Sequence, residues 1–80
     1  MKLFETKDYS KPVSTQLSEY LKMYTTLADR EKIAKKHKIS LITINSVIYM
    51  SRNVTANNAA AITEIVQIAI KNKSKINLEF

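Results

Sequence analysis

The chain has 80 residues, with thirteen Lys+Arg against seven Asp+Glu for a net charge of +6, and is 45% hydrophobic. That describes one small domain, near the length at which a single core barely outweighs chain entropy, so help from a dimer interface is expected. The lack of cysteine excludes disulfides and thiolate metal sites, one histidine leaves no zinc set, and no apolar run approaches a membrane span. The opening residues MKLFETKDYSK have no signal-peptide apolar core, so a cytoplasmic location is expected. A +6 charge on so short a chain suits attraction to a polyanion, most often nucleic acid. A Lys-, Asn- and Ile-rich composition bias gives the same number, and charge by itself does not separate the two.

In chain order, residues 1–13 form a short mixed arm in which residues 2–6 suit a brief strand. Pro12 disfavours helix at Lys11 and fits in or just before a first helical turn. Val13, Leu17, Tyr20, Leu21 and Tyr24 then recur at i, i+4, i+7, i+8 and i+11, which predicts an amphipathic helix over 14–25 with Glu19 and Lys22 on its polar side. The two tyrosines on that stripe suit packing better than a stacking platform for bases.

Thr26-Leu27-Ala28-Asp29 is a capping sequence that opens a second helix over 27–37. Asp29 and Glu31 fall in its first turn and Lys35, Lys36, His37 and Lys38 at its end, so both ends complement the helix dipole. The same lysines suit a phosphate clamp. His37 stands where a partly buried packing residue is expected. Residues 38–40 make a tight turn, and Ser40 is placed to cap a third helix over 41–51. Ile33, Ala34, Ile39, Ile44 and Val47 have the spacing of a helix-turn-helix, two short helices crossing at a turn with a small residue at the close approach. Leu41, Ile44, Val47 and Ile48 form the inward stripe of the third helix, and Ile42, Thr43, Asn45, Ser46, Tyr49 and Arg52 face elsewhere.

Thr55 is expected to cap a last helix over 56–72, apolar nearly all round from Ala59 to Ile70, which implies burial on more than one face, against the chain itself or a second subunit. Residues 76–80 alternate as a strand, with residues 2–6 of the same chain or of a partner as the available mate. The fold class is therefore all-α, about four helices around a helix-turn-helix with short terminal strands. The seven carboxylates are scattered singly and His37 has no evident orienting partner, so catalysis is not expected.

The run Lys32-Ile33-Ala34, Ile39-Ser40-Leu41-Ile42-Thr43-Ile44-Asn45-Ser46-Val47, Val54-Thr55, Ala61-Ile62 and Ile65-Val66 resembles the DNA-binding headpiece of lactose-repressor-type regulators over roughly the second half of the chain. The resemblance implies a small bacterial or phage regulator, a homodimer on double-stranded DNA. Ser40 and Thr43 would then hydrogen-bond phosphates, Leu41, Ile42 and Ser46 would face base edges, and Asn53 would touch the backbone from the following loop. Lys38, Asn45, Tyr49 and Arg52 complete the expected DNA-facing set. Three departures stand out. Lys38 replaces the family's turn glycine, the apolar Leu41 and Ile42 replace polar base readers, and the helix over 14–25 has no counterpart in that headpiece. With no sensor domain, no small-molecule effector or cofactor is expected. A second reading keeps the helix-turn-helix as a protein-interaction module, because Leu41, Ile42, Tyr49 and Met50 are apolar where a partner would dock.

Overall fold

The computed structural model describes residues 4–78, which form four helices, α1 (Thr15–Tyr24), α2 (Leu27–His37), α3 (Leu41–Ile48) and α4 (Ala59–Leu78). A 3-10 turn, Thr6–Asp8, precedes them. The domain is all-α, as the periodicity predicts. Among the described residues no helix is long and apolar enough to cross a membrane.

The helix starts follow local chemistry. Ser14 accepts from Leu17 N–H to cap α1. Thr26 and Asp29 form a complete capping box on α2. Ser40 accepts from Thr43 N–H at 3.1 Å to cap α3. Each satisfies donors that a first helical turn leaves orphaned.

The helix stops are less ordinary. α2 and α3 both close through a residue in the left-handed region, Lys38 at φ 55° and Met50 at φ 66°. Ile39 N–H reaches back to Ala34 C=O and Ser51 N–H to Ser46 C=O, while Lys38 and Met50 donate to Lys35 and Val47. That is the Schellman pattern, normally built on glycine. With no glycine in the chain, side-chain-bearing residues take the strained position instead. The turn at 38–40 therefore keeps its short length despite Lys38. The same closure ends α3 at Ile48, three residues before the predicted limit, because Met50 cannot continue a right-handed helix.

α4 is the central element and packs against α1, α2 and α3. Ala61, Ile62, Ile65 and Ala69 on it are fully buried, and they meet Leu21 of α1, Ile33 and Ala34 of α2, and Ile44, Val47 and Ile48 of α3 in one core. Its broad apolar surface is thus largely used within the chain, although Ile70 stays 44% exposed. Lys36 and His37 at the end of α2 face Glu64 of α4, with Lys36 Nζ 2.9 Å and His37 Nε2 3.3 Å from Oε1. The hydrogen bond from Lys36 holds the Glu64 carboxyl below the usual glutamate range, with a smaller contribution from His37 and against the effect of burial. His37 is half-buried in this contact, the packing role its position suggests.

Two expectations at the chain ends are corrected. The alternating residues from Ile76 to Leu78 continue α4 rather than forming a strand; Glu79 and Phe80 lie outside the described residues. A lone strand leaves its backbone groups unpaired, whereas a helix satisfies them internally. The described part of the proposed mate is not a strand either: Phe4 and Glu5 are irregular and Thr6 begins the 3-10 turn, while residues 1–3 lie outside the described part. The one β-type contact among the described residues is an isolated antiparallel bridge between Lys11 and Val54, closed by Ser10 N–H to Val54 C=O at 2.7 Å and Val54 N–H to Lys11 C=O at 2.8 Å. The last helix also begins later than the predicted 56, after a turn in which Asn58 Oδ1 accepts from Thr55 N–H.

Lys38→Gly should relieve the left-handed strain and stabilise the domain by about 1 kcal/mol. Thermal unfolding followed by circular dichroism checks this; a melting temperature equal to or below that of the parent chain would contradict it.

Candidate nucleic-acid interface

α2, the turn 38–40 and α3 form a helix-turn-helix whose inner side is fixed by Ile33, Ala34, Ile44 and Val47, all buried. Ile39 and Leu41 are half-buried and pack on the same core. Leu41 thus follows the periodicity of α3 and turns inward, which leaves little of it for a base edge. Ile42 and Tyr49 are the large side chains on the outer face, 74% and 57% exposed. Asn45 and Ser46 lie between them, half-buried.

The two flanks of α3 differ. On one flank Thr43, Arg52 and Asn53 line an open cleft of about 500 Å³ together with Ile39, Thr55 and Asn58. The cleft wall is built by backbone. Ser51 and Arg52 N–H both bond to Ser46 C=O, and Asn58 Nδ2 donates to Asn53 C=O at 3.2 Å. The Ser40 and Thr43 hydroxyls are 2.8 Å apart, Ser40 exposed and Thr43 half-buried. Lys38 is exposed at the turn. Lys32, Lys35, Lys38 and Arg52 make no ion pair among the described residues, and no carboxylate occurs between Glu31 and Glu64.

The other flank contains residues that sequence reasoning missed. Arg30 is only 7% exposed, yet no carboxylate among the described residues pairs with it. Its Nε donates to Thr25 Oγ1 at 3.1 Å, Nη1 to Asn45 Oδ1 at 3.3 Å and Nη2 to Leu21 C=O at 3.4 Å. The carbonyl belongs to the C-terminal turn of α1, the negative end of its dipole, which offsets part of the cost of burying the cation. Arg30 and Lys22 also approach the Tyr49 ring, 5.9 and 5.4 Å from its centroid, at distances where the ring face attracts cations. Lys22 additionally pairs with Glu19 at 2.9 Å. The signal in the sequence was the register of Arg30 with Ile33, Ala34 and His37, an arginine on the apolar face of α2. α1 therefore supports the outer face of α3 directly. Ser18 Oγ, buried on α1, donates to Ile48 C=O at 2.6 Å and ties down the end of α3.

No family model, curated protein or solved structure matches this chain. The functional reading accordingly stands on the residues and their arrangement.

The hydroxyl pair at the start of α3 separates stability from contact. Ser40→Ala removes the cap and should cost about 1 kcal/mol in chemical denaturation. Thr43→Ala should leave the melting temperature nearly unchanged but weaken binding to duplex DNA. Equal affinities of Thr43→Ala and the parent chain would take Thr43 out of the interface.

Proposed function

We propose that this chain is a small duplex-DNA-binding protein, a transcription regulator that lays α3 in the major groove in the manner of the lactose-repressor-type headpieces it resembles. The observation that carries this reading is an exposed α3 outer face in a stretch with no carboxylate anywhere between Glu31 and Glu64, where Lys32, Lys35, Lys38 and Arg52 make no ion pair among the described residues. Lys38 from the turn and Arg52 from the following loop flank the helix and serve as phosphate contacts. Ser40 and Thr43 add hydroxyl donors at its N-terminal end, and Asn53 joins Arg52 from the loop. α3 supplies few polar groups for base edges, so the phosphates dominate the affinity. The acting unit is a dimer that uses the exposed part of α4 around Ile70 and presents two copies of α3 to half-sites one helical turn apart.

A second reading has one observation in its favour. Ile42 and Tyr49 are large exposed apolar side chains on the outer face of α3, of the kind that dock a protein partner.

Titration of a labelled duplex by fluorescence anisotropy at low and at physiological salt decides between the two. The DNA reading expects a steep loss of affinity with salt, because counterions are released in proportion to the phosphates neutralised. It also expects light scattering to show association at the concentrations where binding saturates. No binding at low salt would leave the protein-docking reading, and a strictly monomeric protein at tens of micromolar would remove the dimer.

A further inference from the structure

We infer that α3 selects thymine-containing steps, with Ile42 packed on a thymine C5-methyl and Asn45 Nδ2 donating to the adjacent O4. This rests on the proposal that α3 enters the major groove and adds which bases it chooses there. Behind the helix lies Arg30. Its guanidinium is buried and fixed by Thr25 Oγ1 and Leu21 C=O, and its Nη1 lies 3.3 Å from the Asn45 side chain. A guanidinium has donors only, so Asn45 must turn its amide oxygen inward to meet it. The amide nitrogen is thereby left facing away, and among the described residues it has no hydrogen-bond partner. One helical turn before it stands Ile42, 74% exposed, and residues spaced i, i+3 are neighbours on a helix surface. The outer face of α3 therefore offers an apolar group beside a hydrogen-bond donor.

Base edges in the major groove answer that pair differently. Thymine carries a methyl group next to the O4 acceptor, which matches both. Cytosine presents an amino donor that meets the Asn45 donor head-on. Guanine offers acceptors but no methyl. Adenine is ordinarily read by asparagine through both amide atoms, and here the oxygen is already held by Arg30. The fixed arginine thus converts a residue suited to adenine into a one-sided donor, and Ile42 beside it makes thymine the base that satisfies both groups.

The test uses the full chain and three labelled duplexes of equal length at one low salt concentration: an A·T-rich duplex, the same duplex with deoxyuridine in place of every thymidine, and a G·C-rich duplex. Uracil keeps O4 and loses only the methyl. The parent chain should bind the uracil duplex roughly threefold to fourfold more weakly for each methyl it buries, the worth of one such group. Ile42→Ala, an exposed substitution whose unchanged melting temperature verifies the fold, should bind the two duplexes equally. Asn45→Asp keeps an oxygen on Arg30 but turns the outward donor into an acceptor, so its ratio of A·T to G·C affinity should fall. Equal binding of thymine and uracil duplexes by the parent chain overturns the inference while DNA binding stands. Discrimination that survives Ile42→Ala, or an A·T to G·C ratio that Asn45→Asp leaves unchanged, overturns the assignment of those residues. Failure to bind any duplex overturns both this inference and the DNA reading beneath it.

Discussion

Burial of the α4 stripe is the constraint on which the rest of the molecule depends. α1, α2 and α3 have 10, 11 and 8 residues, and helices this short are marginal in water on their own because nucleation costs more than a few hydrogen bonds return. Each becomes stable by covering part of α4. Ala61 and Ala69, small and fully buried beside Ile62 and Ile65, let neighbouring helices come close while the isoleucines fill the space between them. Removing volume here would loosen all three contacts together, and with them the position of α3.

Around that core, the ends of one helix are finished by groups from another. Ser18 on α1 donates to the Ile48 carbonyl of α3. Asn72 on α4 reaches the Tyr24 carbonyl at the end of α1 at 2.8 Å and Asp29 in the α2 capping box at 3.3 Å. Thr25 bonds back to Leu21 C=O at 2.6 Å. A chain without glycine cannot close its helices cheaply through backbone freedom alone, and these side-chain bonds, with the strained Ser10, Lys38 and Met50, do that work instead. The tight turn needed by a helix-turn-helix is kept, at some cost in local strain.

Arg30 connects this framework to the outer face. Its hydrogen bonds join α1, the α1–α2 junction and α3, so the helix that has no counterpart in the repressor-type headpiece is a structural support of the proposed reading helix. A buried cation bonded only to neutral acceptors is expensive. It also adds positive potential behind Asn45 and Tyr49, which favours a polyanion approaching that side.

Most of the helical framework was legible in the sequence because it is set locally. The Thr26 box and the Ser14 and Ser40 caps lie within three residues of their partners, and the i, i+3, i+4 stripes state which face turns inward; Leu41 followed its stripe rather than the base-facing place the family resemblance implied. What only tertiary structure decided depended on distant residues. The alternation at 76–78 reads as a strand in isolation, yet with no strand among the described residues to pair it the backbone stayed in α4. The stop of α3 at Ile48 came from Met50 accepting a left-handed conformation, which no local preference of methionine announces. The role of Arg30 required the end of α1, with Leu21 and Thr25, and Asn45 of α3 to converge on it from two separate segments. That convergence turns the Asn45 amide, and a single side chain's orientation is set by what lies behind it in space, not by what precedes it in the chain.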